Sequence, residues 1–308
     1  MAATTVIEVP SNTPTKALHI RVLLAFFAIY ILWGTTFLAI RIAVQEVPPL
    51  FAAGIRFFIA GVLLYVFMRF RGAPAPTRAQ WRSLALIGLL MFVAEYGPLF
   101  WAEKSIPSGI ASVLEATLPL ITMILETFVF RRQPFHWRIL AAILLGFCGV
   151  GALLLPNGQE HLGVIPCIAI LAGGTAWALG SVLNRSLDLP ESRPLTAGAA
   201  MMLGGGMLLV LSASFGEMRP VPHVSMRAVW ALLYLIVCGS LLGYTAFVWL
   251  LARMSATRIS SHAYVNPVVA VALGYFVAGE IITARTLIGT GLVLASVVLI
   301  LRKQKAAI

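Results

Sequence analysis

Four ionisable side chains fall inside long apolar runs of this chain: Arg56, Glu95, Glu115 and Glu126. A charge in hydrocarbon is costly, so such groups normally face a cavity or a partner. Glu95 lies ten residues before Ser105 and Glu115 ten residues after it. If the chain turns near Ser105, both carboxyls sit about 15 Å from the turn at ~1.5 Å per residue, close to the middle of a bilayer. Two such carboxyls could take up a proton in one conformation and release it in another, or hold a cation. Either could instead partner Arg56 for structure alone. Arg56 lies seven residues beyond Pro49, at a shallower depth of about 10 Å, where it could also meet a substrate carboxylate. Glu126, five residues before Arg131, is better placed to snorkel toward the membrane surface or to pair with an arginine.

Other residues could shape a cavity around these groups. Trp33 and Trp177 fall in mid-run, where a cavity wall is the natural reading. Trp101 and Trp249 lie near run ends, where an interfacial belt is the usual explanation. Tyr264 and Asn266, beside Pro267, could hydrogen-bond a solute or a neighbouring helix. Pro119 and Pro267 each remove one backbone hydrogen bond, giving a hinge or a static kink. His262, near the start of its run, reads as an interfacial histidine sooner than a proton relay. Cys148, Cys167 and Cys238 sit in apolar runs without metal-ligand spacing. There is no nucleophile–base set and no P-loop. We therefore expect no catalytic residue, no metal and no cofactor.

Membrane helices are needed to position such groups. The chain has 308 residues, 60% hydrophobic and 11% charged, against roughly 25% charged in soluble domains. The class is an all-α polytopic membrane protein. Ten transmembrane helices are predicted, over 22–43, 50–68, 83–101, 108–130, 138–155, 163–183, 195–215, 229–251, 259–279 and 285–302. In a soluble protein the net charge of +11 would suggest nucleic acid. Here the basic residues border apolar spans, so the partner is a lipid bilayer and no nucleic acid is expected. Sixteen of the 22 Lys and Arg fall on the side of the N-terminus and five on the other, with Arg56 inside a span. That bias predicts both termini in the cytoplasm.

The spans repeat. At an offset of 148, Tyr96 meets Tyr244, Trp101 meets Trp249, Ser112 meets Ser260 and Pro119 meets Pro267. Trp33 and Trp177 match at 144. Tyr96 and Tyr244 are placed on the same pathway by this pairing. Five spans per half is an odd number, so the second half enters the membrane from the opposite side, an inverted-topology repeat common in secondary transporters. The expected organisation is a disordered cytoplasmic leader (1–17), repeat one (18–156), repeat two (157–302) and a cytoplasmic tail (303–308). The halves differ in charge: Glu95 and Glu115 match Gly243 and Ala263. Gly239–Gly243, Gly146–Gly151 and Gly204–Gly206 read as close helix contacts, and Gly289 and Gly291 as a bundle contact or a homodimer face.

Trp33-Gly34-Thr35-Thr36-Phe37, followed by Arg41, Pro48-Pro49 and Arg56-Phe57, resembles the start of an EamA-type domain of the drug/metabolite transporter superfamily. Pro107–Ser112 with Pro119-Leu120 resembles its fourth helix. Tyr264–Val268 followed by Gly279-Glu280 resembles its ninth. The detail is similar to the YedA-like branch, over residues 20–302. The resemblance implies two five-helix EamA repeats in the bacterial inner membrane and export of amino acids or similar small polar metabolites. It also implies a central cavity lined mainly by helices 1, 3, 4, 6, 8 and 9. One departure stands out: Arg131-Arg132 occupy the place that Gly279-Glu280 hold in the second repeat. The expectation is a small-molecule secondary transporter working by alternating access, with protons a candidate coupling ion. A channel, a non-transporting receptor and an intramembrane enzyme are the alternatives. Each lacks its own signature: a filter-like loop, a sensing domain between spans, or a catalytic constellation.

Overall fold

The computed structural model of the chain describes residues 16–132, 134, 137–154, 163–218, 223–254, 259 and 262–301. Nearly all of the expected leader and the whole of the tail lie outside the described residues. In chain order the helices are α1 Leu18–Val44, α2 Pro49–Phe70, α3 Arg78–Ala102, α4 Ser108–Val129, α5 Trp137–Leu154, α6 Val164–Leu183, α7 Arg193–Ser214, α8 Met226–Leu251, α9 His262–Ala278 and α10 Ala284–Leu301. Seven of them are long and apolar enough over their described residues to cross a membrane. In α5, α9 and α10 the described apolar stretches are shorter: Leu140–Leu153, Val265–Ala278 and Ala284–Ser296. Among the described residues there is no strand.

Large apolar side chains point outward along the helices. Leu23, Leu63, Phe67, Leu144 and Ile288 are all exposed. In water this would be an aggregation surface; in a bilayer it is the lipid-facing band. Since lipid is as apolar as leucine, the bundle must close by tight backbone packing instead. Glycine supplies it. A methyl on Gly61 of α2 would stand 2.6 Å from Met202 Cα and 2.8 Å from the Gly198 carbonyl of α7. Gly149 of α5 and Gly289 of α10 face each other, and a methyl on either would lie 3.0 Å from the other's carbonyl. Gly289 is thus a bundle contact, while Gly291 meets nothing within 4 Å.

The two most extensive pairings join helices five apart, α2 with α7 and α5 with α10, and α4 also packs on α9. Others come in matched sets. The contact of α1 with α9 corresponds to that of α6 with α4, α3 with α6 to α8 with α1, and α3 with α7 to α8 with α2. The C-termini of α4 and α9 also match. Arg131 (φ 51°) and Gly279 (φ 68°) both adopt the left-handed conformation. Each is followed by an amide that donates six residues back, Arg132 N to Glu126 O at 2.7 Å and Glu280 N to Gly274 O at 2.9 Å. Both helices therefore close on a left-handed residue at the C-terminus, a position where glycine is usual. The two ends are 148 residues apart, the offset of the sequence repeat.

Packing of this kind can be measured. Gly61→Ala should destabilise the purified protein by about 1–3 kcal/mol through overpacking, seen as a lower unfolding temperature in detergent. Gly291→Ala, with open space around it, should leave that temperature unchanged or slightly raised.

Candidate functional site

The site begins with interruptions in four helices. Proline cannot donate to the carbonyl four residues back, so Pro119 leaves the Glu115 carbonyl without a helical donor. Accordingly α4 breaks there, into Ser108–Glu115 and Leu118–Ile124. The turn between is tied locally by Thr117 Oγ1 donating to Leu114 O (2.7 Å) and Leu120 N donating to Thr117 O (2.9 Å). Glu115 therefore ends a helical segment. In α3 a π-helical turn, Leu89–Val93, immediately precedes Glu95 and Tyr96, and Pro98 follows. In α1 a π turn, Ala28–Leu32, precedes Trp33, and in α8 one spans Leu235–Tyr244. A π turn inserts a residue, rotates the face that follows and loosens backbone hydrogen bonds. Asn266 of α9 answers one of them. With its amide nitrogen as donor, the orientation its surroundings require, it bonds Tyr30 O at 2.8 Å and Ile29 O at 3.2 Å.

These helices enclose a cavity of about 40 Å³ lined by Trp33, Glu95, Tyr96, Glu115, Trp177 and Asn266, with Ser112 and His262 beside them. Glu95 and Glu115, expected from the sequence at equal depth, meet there. Their carboxyls lie within hydrogen-bonding reach of each other, and both residues are buried, 3% and 9% exposed. One oxygen of each, Glu95 Oε2 and Glu115 Oε1, has no hydrogen-bond partner. The floor under the pair is Gly173-Gly174 of α6. A methyl on Gly173 would stand 2.8 Å from Glu95 Oε2, and one on Gly174 3.6 Å from Glu115 Oε2. In contact, two carboxyls holding one proton form a hydrogen bond, while two anions repel strongly in a medium of low dielectric.

An aromatic wall faces the acids. Trp33 and Trp177 approach at 5.7 Å, and Phe247 of α8 lies 5.2 Å from Trp33 and 5.1 Å from Trp177. Trp33 is fixed by donating Nε1–H to Gly239 O at 3.0 Å. Tyr96 and Tyr244 both pack on Trp177, at 5.9 and 6.0 Å. Arg56 does not join the acids. Its guanidinium stacks on Phe57 (4.5 Å) and Tyr96 (5.1 Å), and its Nε donates to Ser240 Oγ at 2.9 Å. Tyr96 thus stands between Arg56 and the carboxyl pair, and neither glutamate forms an ion pair with Arg56.

The remaining expected residues fall as follows. Pro119 and Pro267 are buried beside the lining residues Leu118 and Asn266. The side chain of Tyr264 lies outside the described residues. Trp101 is 46% exposed, as a belt residue would be. His262 is not interfacial. It is buried in the cavity wall, 5.1 Å from Trp33, with Nδ1 3.0 Å from Ile259 O. Sequence reasoning missed Phe247, the π turns and the Gly173-Gly174 floor. Only the glycine doublet, four and three residues before Trp177, carried a readable signal.

The EamA-like transporter family profile matches the chain twice, over residues 20–155 and 164–302. The chain belongs to the EamA-like transporter family. It is 36% identical to the uncharacterized inner membrane transporter YedA of Escherichia coli (strain K12), over 90% of this chain and 89% of that protein. It is 27% identical to a probable amino-acid metabolite efflux pump of Salmonella typhimurium (strain LT2), over 87% of this chain and 90% of that one. A crystal structure 19% identical in sequence has the same fold, with a TM-score of 0.66 over 92% of this chain and 96% of that one. This EamA-like chain is a multi-pass inner-membrane transporter rather than an enzyme.

The role of Asn266 in holding the α1 π turn can be tested apart from transport. Asn266→Leu removes the donor to two buried carbonyls and should cost about 1–3 kcal/mol, read as a lower unfolding temperature. An unchanged temperature would mean that water or a neighbour satisfies those carbonyls.

Proposed function

We propose that this chain is a secondary transporter that exports amino acids or similar small polar metabolites by alternating access, with the Glu95–Glu115 pair exchanging a proton during the cycle. The observation that carries the proposal is a pair of buried carboxyls in mutual contact on the wall of an internal cavity, with no cationic side chain paired to them among the described residues. An ammonium group of a solute and a proton would compete for the same two acids, and such competition couples their movements. The indoles of Trp33 and Trp177 offer faces to the same ammonium group. The amino-acid class is supported by the name of the Salmonella relative.

Ten transmembrane helices in two inverted halves are part of this reading. The double family match, the matched helix pairings and the two left-handed helix ends 148 residues apart support it. The charge bias of the loops supports cytoplasmic termini, which puts Glu280 at the outer face and Arg132 at the inner. A cavity of about 40 Å³ holds a few waters, whereas ligand pockets are roughly 300–1,000 Å³. Solute binding therefore needs the two halves to move apart. Gly291, open on its helix, is where a homodimer contact would form.

The direct test is a pooled-metabolite screen in proteoliposomes, with and without an imposed pH gradient. The expected result is gradient-dependent movement of an amino-acid-type solute. Glu115→Gln should keep the fold, lower gradient-driven transport by about tenfold or more and flatten its pH dependence. Wild-type rates in that variant across about pH 5.5–8.5 would contradict coupling through the pair. A solute-independent ion conductance would favour a channel.

A further inference from the structure

At the Glu280 end of the bundle α2, α4 and α8 begin, and the N–H groups of their first turns need acceptors. Carboxylates supply them at α2 and α4, a third binds Ser225, whose own hydroxyl caps Ala228 N of α8, and each carboxylate comes from the other half of the chain. Glu46, after α1, accepts from Ser225 N (2.6 Å) and Ser225 Oγ (2.8 Å) at the start of α8. Glu217, after α7, accepts from Leu50 N (3.3 Å) and Phe51 N (3.0 Å) at the start of α2, and from Ser212 Oγ (2.8 Å) of its own helix. Glu280, after α9, accepts from Ser108 N (2.8 Å), Ser108 Oγ (2.7 Å) and Gly109 N (3.1 Å) at the start of α4. The N-cap residues of α2 and α4 are Pro48 and Pro107, which make no side-chain cap. Without the distant acids these two helix starts would lose their side-chain acceptors.

The opposite end is built differently. There α3 and α7 are capped by their own Thr77 and Ser192. Bonds between the halves at that end include, among the described residues, the exposed Gln80 Nε2 to Asp188 Oδ1 (3.2 Å), and Arg132 to Ser186 Oγ (2.6 Å) and Val182 O (3.3 Å). The repeat register aligns Arg132 with Glu280. One holds a helix start with a negative charge; the other holds the end of α6 with a positive one. Both arrangements oppose the helix dipole with the stabilising sign, and the Glu280 end has three carboxylate ties across the halves.

These ties sit where a gate would have to be. Ser108 and Glu115 are the first and last residues of one helical segment, so the contact at Glu280 and the acid in the cavity move as one piece. The bonds from Ser225 hold the Glu46 carboxyl below the usual carboxylate range, so this acceptor is charged at neutral pH. We propose that Glu46, Glu217 and Glu280 are the external gate, closed in this structure and released together when the cavity opens outward. The proposal rests on the alternating-access and orientation readings above.

The test uses a full-length chain with Cys148, Cys167 and Cys238 replaced by alanine and Ala116→Cys placed in the cavity wall. A membrane-impermeant maleimide is added from outside to intact cells. The Glu46→Gln, Glu217→Gln, Glu280→Gln triple variant should label faster than its parent by about tenfold or more. In inside-out vesicles its labelling should fall. Unchanged outside labelling in a triple variant that remains monodisperse would overturn the gate, and so would equal acceleration from both sides, which indicates general loosening. If the triple variant fails to fold, Glu46→Cys with Ser225→Cys joined by a short bifunctional thiol reagent should block outside labelling at Ala116→Cys, and unimpeded labelling would overturn the proposal. Labelling needs no transported solute, so the two readings fail separately. Shifted labelling without solute movement removes the transport reading, while solute movement with unshifted labelling removes the gate.

Discussion

Two carboxyl groups in contact inside a membrane protein form a hydrogen bond when they hold one proton and a strongly repulsive pair when they hold none. Much of the surrounding structure exists to keep Glu95 and Glu115 in that relation. Pro119 ends the helical segment at Glu115, and the π turn of α3 sets the face on which Glu95 and Tyr96 stand. Gly173 and Gly174 give α6 no side chain where the carboxyls lie. Tyr96 closes off Arg56, whose charge would otherwise neutralise one acid permanently. Arg56 is itself held by Ser240 and two aromatic faces.

The same economy of partners governs the backbone. Irregular backbone at membrane depth is tolerated only where it is buried in protein or lines a cavity. Three interruptions here have named partners. The α1 π turn is bonded by Asn266, the α4 break by Thr117, and the α8 π turn offers the Gly239 carbonyl to Trp33. Helices α2, α5, α7 and α10, away from the cavity, are continuous and join through glycine faces. Four interrupted helices, with the continuous α6 and α9, surround the cavity, and smooth helices flank them.

Much of this was legible in the sequence, for physical reasons that vary by element. Long apolar runs with few charges allow little but membrane helices. Equal spacing of Glu95 and Glu115 from Ser105 placed them at one depth, and the helix geometry then brought them together. The repeat register read from tryptophan, tyrosine and proline reappears in two backbone ends, Arg131 and Gly279. Arg56 was harder, because depth along a helix says nothing about which face a side chain takes, and Tyr96 intervenes. His262 misled because four residues into a run normally means the interface. The π turns left no trace, since they depend on hydrogen bonds from distant residues such as Asn266. The carboxylate caps at Glu46 and Glu217 were equally hidden, because the partners are 179 and 167 residues away.

The two family-matched halves share helix pairings and a left-handed helix end but differ in where their helices are interrupted and in charge. The cavity acids belong to the first half alone, and Arg132 replaces the acid that Glu280 supplies to the second. Movement of both halves around a site whose chemistry resides in one of them is the central claim. It is tested most directly by loading proteoliposomes with a pH-sensitive dye and adding, on one side, an amino-acid-type solute that the protein carries, with no pre-imposed gradient. Coupling through the pair gives a solute-driven pH change in wild type that is absent in both Glu95→Gln and Glu115→Gln, with Arg56→Lys retaining it. Solute movement without any pH change, or a pH change that survives both glutamine variants, would contradict the claim.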